Sequence, residues 1–380
     1  MRGSIRQRGT TFTAYWEVVD PGTGKRVQHT KGGFRTQGAA QKHLNAVMPK
    51  VDSGEWKPDQ PLTVKQLLTE HWLPAQKSRE LRPSTLEQYR IVIDAWIVPK
   101  IGAVRASALT PKVVNEMVTA LRTTKSSTGR KGLSARSAQL SVGVLKSACA
   151  WAVVNGLLGR NPVAGIQRPR SQSTVMKAWD TDQARAFLAS TTTDRLSFAW
   201  SLLLTRGLRR GEACGLRWQD IDLGAGVVRI NRTRVTVDGK PIDSSPKTEA
   251  GRRAIHVDPS LVALLKAHKA RQAAEKLAAG AAYEDDGYLL ADELGAPYHP
   301  ETVSGWFDDA VKAAKLPRIR LHDTRHTAAS LMLAAGVPVK VVSEMLGHSS
   351  PTITLAIYAH VMPGMAEEAG AALSASLLGP

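Results

Sequence analysis

Residues 321–361 constrain the fold more than any other stretch, because signals that start and stop helices follow one another closely within it. Apolar residues spaced three and four apart predict a first helix from residue 323 or 324 onward. Asp323 or Thr324 can cap its N-terminus, and Gly336 can end it. The same signals recur in the remaining residues and predict three short helices in all.

Pro338 predicts the start of the second helix, because a first helical position needs no amide donor. Gly347 predicts its end. Ser350-Pro351 then opens a third helix, which carries Tyr358 near its C-terminal end. The chain is therefore expected to present polar side chains from a compact helical support.

Four of these side chains carry chemistry. His322 and Arg325 are three residues apart and share one helical face, and His348 and Tyr358 follow on the later helices. A phenol can attack phosphorus, and its pKa near 10 makes it a better leaving group than a sugar hydroxyl in the return step. A guanidinium matches two phosphate oxygens at once. We interpret this set as half of a site for attack on a phosphodiester.

Ordinary interpretations compete with this one. His322 and His326 have the spacing of an HExxH zinc site, but position 323 is Asp and Arg325 would place a cation beside the metal. We therefore expect no metal. Tyr358 alone is typical of a half-buried helix tyrosine. Single residues do not decide the function.

The size and composition suit a protein of two or three domains that works away from membranes. The 380 residues contain no long uncharged apolar run, and the basic N-terminus is not followed by an apolar signal segment. Cys149 and Cys214 form neither a disulfide framework nor a metal knuckle. We expect a cytoplasmic, nucleoid-associated location.

The positive charge is concentrated at the front of the chain. Lys and Arg exceed Asp and Glu by 17 in residues 1–170 but by only one in residues 171–380. An uneven distribution of this kind indicates that one part of the chain binds a polyanion and another carries out catalysis. A basic surface that binds nothing is the alternative.

Three domains are expected, in an α+β multidomain, mainly α fold. Residues 1–56 predict a small β-sheet followed by a helix from Thr36, with Gly32-Gly33 breaking the sheet. Its basic residues could contact a DNA groove, or could form a solvated face. They are Arg6, Arg8, Lys25, Arg26, Lys31 and Arg35.

Residues 62–168 predict a helical bundle, and residues 177–380 predict a mixed α/β domain. The bundle helices are expected at 64–77, 83–97, 111–121 and 135–155. The last domain is expected to combine helices at 181–190, 195–204, 259–278 and 300–314 with strands at 226–231, 234–237 and 253–257. A polar tether at 167–176 separates the two domains. A weak amphipathic helix is expected at 365–378.

The order of five motifs is more specific than any single residue. They read GLRRGEACGLRW (207–218), PKTEAGRRAIHV (246–257), HDTRH (322–326), LGHSS (346–350) and YAHV (358–361). The series resembles the tyrosine recombinase family of the phage integrase type, over about residues 177–362. The bundle resembles the family's core-binding (SAM-like) domain. Residues 1–56 resemble, more loosely, the arm-binding module of integrases from mobile elements.

The resemblance implies a role for each matching residue. Arg209 and Arg325 would clamp the phosphate, and Tyr358 would attack it to form a 3′-phosphotyrosyl link. Lys247 would be the general acid toward the 5′ oxygen, with Lys240 a less favoured substitute. The remaining implied residues are Glu212, which would support Arg209, His322, which would assist proton transfer, and His348, which would hydrogen-bond the phosphate. Gly251 stands where the family often has a serine.

The resemblance implies a site-specific DNA recombinase that needs neither ATP, metal nor another cofactor. Its partners would be duplex attachment sites, three further copies of the chain in a synaptic homotetramer, and a directionality factor. A chromosome- or plasmid-resolving recombinase is the nearest alternative, although such enzymes resemble only the bundle and the catalytic domain. A non-catalytic DNA-binding homologue and a type IB topoisomerase are the others.

The uneven charge predicts different DNA affinities for the two parts of the chain. A fragment of residues 1–170 should bind duplex DNA with a steep salt dependence, because each cation–phosphate contact releases a counterion. The isolated catalytic domain, residues 177–380, should bind weakly. Fluorescence anisotropy with a random-sequence duplex at several salt concentrations measures both, and equal affinities would contradict the prediction.

Overall fold

The computed structural model describes residues 3–19, 24–53, 56, 62–124, 132–167, 177–246, 249–358 and 374–378. The chain divides into two compact units, Met1–Gln172 and Ser173–Pro380. The described residues are mainly helical, with three small antiparallel sheets. The predicted α+β, mainly α class is confirmed.

The first sheet packs against one helix. Its strands are β1 (Gly3–Arg8), β2 (Thr11–Val19) and β3 (Arg26–Phe34), in that order. Helix α1 (Gln37–Asp52) follows, and the Thr36 side chain accepts a hydrogen bond from the Ala39 amide, as predicted for its cap. A small core of Ala14, Trp16, Leu44 and Val47 joins the sheet to the helix.

The expectation that Gly32-Gly33 breaks this sheet is wrong. Strand β3 continues through both glycines to Phe34, which pairs with Phe12 after a shift in register. Gly33 has φ of +83°, a conformation that costs glycine little. The pair therefore forms a bulge inside the strand, and the ladder resumes beyond it.

The rest of the first unit is a helical bundle whose first two helices are irregular. They are α2 (Val64–Gln66), π-helical Leu67–Trp72 and α3 (Leu73–Lys77), then α4 (Pro83–Ile91), π-helical Val92–Ile97 and α5 (Val98–Ile101). The expected helices at 64–77 and 83–97 are thus present, the second extended to Ile101. Each π-helical turn lies just before a proline, Pro74 or Pro99, which cannot donate the regular hydrogen bond.

Two longer helices, α6 (Pro111–Thr123) and α7 (Ala135–Val154), complete the bundle. Helix α7 is long and apolar enough to span a membrane by length and composition alone. However, Val142, Leu145 and Cys149 on it are buried in the core of the bundle. These contacts explain its apolar character as that of a core helix.

The second unit surrounds a larger core, built around Phe187, Trp200 and Phe307. Its helices are α8 (Thr181–Ser190), α9 (Ser197–Arg206), α10 (Arg210–Cys214), α11 (Pro259–Ala279), α12 (Pro300–Ala313), α13 (Asp323–Ala334), α14 (Val339–Leu346) and α15 (Pro351–Tyr358). Its strands are β4 (Ile221–Asp222), β5 (Val227–Ile230), β6 (Thr233–Val237), β7 (Lys240–Ser244) and β8 (Arg253–His256). Short 3₁₀ turns lie at Ala106–Ala108 in the first unit and at Trp218–Asp220, Glu249–Gly251 and Gly280–Ala282 in the second.

These strands form two sheets, one ordered β4-β5-β8 and one the hairpin β6-β7. The predicted turn at Asp238-Gly239 joins the hairpin, with φ of +49° and +73°. The predicted strands do not include β7, which contains Pro241. In a two-stranded hairpin each strand has a free edge, so the missing amide donor is tolerated.

The three helices expected in residues 321–361 are present as α13, α14 and α15, but the predicted cap is wrong. His322 precedes α13 and its side chain makes no capping hydrogen bond. Asp323 is the first helical residue, and its carboxylate accepts hydrogen bonds from the backbone and guanidinium of Arg320. Gly347 ends α14 in the left-handed conformation, as expected. The tail helix expected at 365–378 lies largely outside the described residues.

Candidate active site

A buried carboxylate between two guanidinium groups forms the base of the site. Glu212 on α10 is 3% exposed and accepts hydrogen bonds from the backbone amide of Arg209 (2.9 Å) and its Nη1 (2.6 Å). Arg253 on β8 donates Nη1 and Nη2 to the same carboxylate at 3.1 and 2.9 Å. We call these three residues the Glu212 bridge. It fixes the start of α10 against β8.

The Glu212 bridge keeps its carboxylate ionised. Burial alone would raise the pKa of Glu212, but the hydrogen bonds and charge of Arg253, with the charge of Arg209, outweigh it and the pKa is lowered. A buried charge that is paired and hydrogen-bonded in this way is costly to disturb from either side.

A third guanidinium lies next to the bridge. Arg325 on α13 is 3% exposed and donates Nη1 to the Gly207 carbonyl (2.8 Å) and Nη2 to the Leu346 carbonyl (2.5 Å). Nη2 of Arg209 donates to the next carbonyl, that of Gly347, at 3.1 Å. Both arginines are therefore held by neighbouring carbonyls at the end of α14.

The close approach at this point requires a glycine. Gly347 has φ of +66°, and a Cβ atom there would lie 2.7 Å from the Ala250 carbonyl oxygen. Burial and the neighbouring charge of Arg209 lower the pKa of Arg325 to about 9, so the guanidinium stays protonated at neutral pH. Arg209 and Arg325 are thus two positive groups held in fixed positions beside the Glu212 bridge.

The phenol of Tyr358 lies in the same site. Its side chain is 2% exposed, and its Oη is 2.6 Å from Nδ1 of His326. Burial raises the pKa of Tyr358 to about 12, although the charge of Arg325 acts in the opposite direction. The hydroxyl is therefore protonated at neutral pH and needs a proton acceptor before it can attack.

The two predicted histidines are neutral at pH 7. Burial, followed by the charges of Arg325 and Arg209, lowers the pKa of His348 to about 4, and its Nδ1 is 2.9 Å from Oγ1 of Thr354. Burial also lowers the pKa of His322, helped by its neighbour His326 at 5.7 Å between ring centroids. Among the described residues, no group of three or more His, Cys, Asp or Glu side chains could hold a metal ion.

The structure gathers most of the predicted site residues at one place. Arg209, Glu212, His322, Arg325, His348 and Tyr358 all lie around the end of α14 and the start of α13. Lys247 lies outside the described residues, three positions after β7, and Lys240 is exposed at the start of that strand. The predicted basic residues of the first sheet are exposed in the other unit.

Two residues of the site do not follow from the sequence motifs. Arg253 belongs to the quoted PKTEAGRRAIHV motif, and it has the same strand parity as the buried Ile255 and Val257. That alternation could have placed its side chain inward. The sequence suggests only a zinc-ligand role for His326. Its contact with Tyr358 joins residues 32 positions apart, which no local pattern predicts.

The Glu212 bridge makes a prediction about stability. Replacing Arg253 by Met should lower the free energy of unfolding by about 3–5 kcal/mol, because it leaves a buried carboxylate with half its partners. Arg318→Met is the matched control, since its ion pair with Asp308 is largely exposed and should be worth at most about 1 kcal/mol. Urea titrations of the full chain at pH 7 measure both.

The contribution of Glu212 to the stability of the fold decreases as the pH falls. Because the pKa of Glu212 is lowered in the folded chain, its contribution is fully present above the ordinary value of 4.5 and is lost as the pH falls through the folded value. The difference in free energy of unfolding between wild type and Arg253→Met should therefore become smaller at acidic pH. Equal losses in the two arginine variants at pH 7 would contradict the role of the bridge.

Comparisons with known proteins agree with this geometry. Residues 176–364 match the phage integrase family, residues 4–50 match an arm DNA-binding domain, and residues 63–122 match the N-terminal SAM-like domain of phage integrases. The chain is 32% identical over 252 residues to a XerC-like tyrosine recombinase of Caldanaerobacter subterraneus. That alignment covers 62% of this chain but only 64% of the relative, so the chain spans less than two thirds of its length.

Solved structures show the same fold. The Tn1549 transposon integrase in complex with a circular intermediate DNA superposes with a TM-score of 0.67 at 21% identity, covering 82% of this chain and 99% of that one. A lambda integrase tetramer bound to a Holliday junction gives a TM-score of 0.59 at 21% identity, covering 94% of each.

The family assignment rests on a further relative. Tyrosine recombinase XerC of Mycobacterium bovis is 32% identical over 234 residues, which cover 57% of this chain and 70% of that protein. Together with the motif order and the gathered arginines, histidine and tyrosine, this identity confirms the resemblance noted in the sequence. The chain belongs to the tyrosine recombinase family of the phage integrase type.

Proposed function

We propose that the chain is a site-specific DNA recombinase that integrates and excises a phage or another mobile element. It cleaves and rejoins DNA through a 3′-phosphotyrosyl intermediate, without ATP or metal. The observation that carries the proposal is the burial of the Tyr358 phenol in one site with two guanidinium groups, Arg209 and Arg325, that hold neighbouring carbonyls. A phenol and a pair of fixed cations are the parts that attack on a phosphodiester requires.

The two arginines clamp the scissile phosphate. Arg325 uses two of its five donors on backbone carbonyls, which leaves others for the non-bridging oxygens. The Arg209 side chain is 39% exposed and can reach an incoming phosphate while Glu212 accepts the hydrogen bond from its Nη1. Because both cations are fixed beforehand, they stabilise the charge that develops in the transition state without reorganising.

The remaining residues move or hold protons. Lys247 protonates the departing 5′ oxygen, His322 assists proton transfer, and His348 donates a hydrogen bond to the phosphate. The neutral state of His348 at pH 7 suits a hydrogen-bond donor whose other ring nitrogen is occupied by Thr354. Tyr358 attacks phosphorus and becomes covalently attached to the 3′ end.

Three domains divide the work. Residues 1–56 form an arm-type DNA-binding module, residues 62–168 a core-binding domain, and residues 177–380 the catalytic domain. The exposed basic residues Arg6, Arg8, Lys25, Arg26, Lys31 and Arg35 contact DNA in the first of these. The match of residues 4–50 to an arm DNA-binding domain supports this assignment.

The partners are two duplex attachment sites and three further copies of the chain. Strand exchange needs four cleavages, which a synaptic homotetramer provides, and the tetrameric assembly of lambda integrase on a Holliday junction supports this state. A directionality factor is a further partner. The enzyme works on the nucleoid in the cytoplasm.

An alternative function with the same chemistry is the resolution of chromosomes or plasmids. The arm-type module at residues 4–50 favours integration instead, because resolving enzymes resemble only the bundle and catalytic domain. A non-catalytic homologue would not need to retain the Glu212 bridge beside a buried phenol. A type IB topoisomerase would relax plasmids that lack any attachment site.

Replacing Tyr358 by Phe tests the proposal. A nicked duplex built from the direct repeat that flanks the encoding element should trap an SDS-resistant protein–DNA adduct with wild type, because the nick releases the 5′ fragment. Tyr358→Phe should form none, since it lacks the attacking oxygen. Denaturing gel electrophoresis of labelled DNA measures the adduct.

Tyr283→Phe is the matched control, because it removes a phenolic hydroxyl from the same unit outside the site and should leave the adduct yield unchanged. An adduct that persists in Tyr358→Phe would overturn the assignment of the nucleophile. Relaxation of plasmids without the repeat would favour the topoisomerase.

A further inference from the structure

The motif assignment gives no role to His326, yet this residue touches the reacting atom of the nucleophile. Its Nδ1 lies 2.6 Å from Oη of Tyr358, and the two ring centroids are 5.9 Å apart. His326 is on α13 and Tyr358 is the last residue of α15, so the contact joins two separate helices. Among the described residues, His322 makes no hydrogen bond to this hydroxyl.

His326 is neutral at pH 7, as a group that accepts a proton must be. Burial lowers the pKa of His326, and the charges of Arg325 and Arg320 act in the same direction against that of Asp323. The ring of His322 packs edge-on against it from the preceding turn. A neutral imidazole has one accepting nitrogen, and a protonated phenol can donate to it. The contact can transfer the phenol proton in the tautomer of His326 that carries its ring proton on Nε2, because Nδ1 then accepts the hydrogen bond from Tyr358 Oη–H.

We propose that His326 is the general base that takes the proton of Tyr358 when its oxygen attacks the scissile phosphorus. This inference rests on the proposed recombinase function. The Oη–H bond breaks as the Nδ1–H bond forms, while the Oη–P bond forms and the P–O5′ bond breaks. The departing O5′ takes its proton from a separate acid. In the return step, the conjugate base of that acid takes the proton of the 5′ hydroxyl as O5′ attacks phosphorus, and the departing phenolate regains its proton from the imidazolium.

The geometry favours His326 over the other imidazoles of the site. A general base must lie within hydrogen-bond reach of the proton that it removes, and His326 meets this condition before DNA binds. Nδ1 of His348 is already paired with Thr354. The burial that raises the pKa of Tyr358 to about 12 makes an adjacent acceptor necessary at neutral pH.

His326→Asn separates accepting a hydrogen bond from accepting a proton. The Asn Oδ1 atom can take the place of Nδ1 but is not a base at neutral pH, and Asn and His have similar helix propensities. The substrate is the nicked repeat duplex with a 5′-bridging phosphorothiolate at the cleavage position. Its thiolate leaves without an acid, so the rate reports the attack alone.

We expect His326→Asn to form the covalent adduct about 100-fold more slowly than wild type on both the phosphorothiolate and the ordinary nicked duplex. Lys247→Ala should be slow on the ordinary duplex but restored by the phosphorothiolate. His256→Asn makes the same exchange at an exposed strand position and should react at the wild-type rate. Single-turnover kinetics at saturating protein measure each variant.

The pH profile gives a second readout. On the phosphorothiolate duplex, the wild-type rate should rise with pH as the imidazolium of His326 deprotonates, and should then level off at a plateau. Because the pKa of His326 is lowered, the midpoint of this rise should lie below pH 6.5, the ordinary pKa of histidine. His326→Asn should lose that plateau and keep rising into alkaline pH as hydroxide removes the phenol proton. A His326→Asn rate within threefold of wild type, with the same plateau, would overturn the inference.

The outcomes distinguish this inference from the proposed function. If wild type forms no adduct, the recombinase proposal fails, whereas an active wild type with an equally active His326→Asn defeats only the role of His326. If His326→Asn loses DNA binding, His326→Ala with added imidazole decides the question. A rate that rises with imidazole concentration supports the inference, and a rate independent of imidazole contradicts it.

Discussion

The burial of one carboxylate between two guanidinium groups is the interaction on which the site depends. Glu212 cannot be both buried and charged without Arg209 and Arg253, and in satisfying it they lock α10 to β8. These ion pairs fix the position of Arg209, although its side chain remains 39% exposed. The carbonyl of Gly347 then sets the direction of the same guanidinium, so one cation is positioned from two sides.

A second consequence is the electrostatic setting of the proton-carrying groups. Arg325 is held by the carbonyls of Gly207 and Leu346, and its charge reaches both His348 and Tyr358. The histidines stay neutral, so among the described residues of the site the fixed positive charge comes from the arginines. The phenol, by contrast, stays protonated because it is buried, and this is why its contact with a neutral His326 matters for the chemistry.

Much of this arrangement could be predicted from the sequence, for local reasons. Single residues predict the three helices α13 to α15, because Gly336 and Gly347 end two of them and a proline lies at the start of two. The order of the motifs identified the family. The remainder depends on contacts between distant segments. The pairing of Arg253 with Glu212 spans 41 residues, and strand β7 forms despite Pro241 because its hairpin partner supplies the register. The π-helical turns before Pro74 and Pro99 likewise reflect packing that a regular helical period does not reveal.

In the proposed reaction, the oxygen of Tyr358 attacks a phosphorus atom held by Arg209 and Arg325. A crystal structure of the full chain with cleaved repeat DNA and orthovanadate tests it most directly, because vanadate takes the five-coordinate geometry of phosphorus under attack. We expect vanadium bonded to Oη of Tyr358, with both guanidinium groups donating to its equatorial oxygens. Vanadium bonded to another side chain, or bound with either arginine turned away, would contradict it.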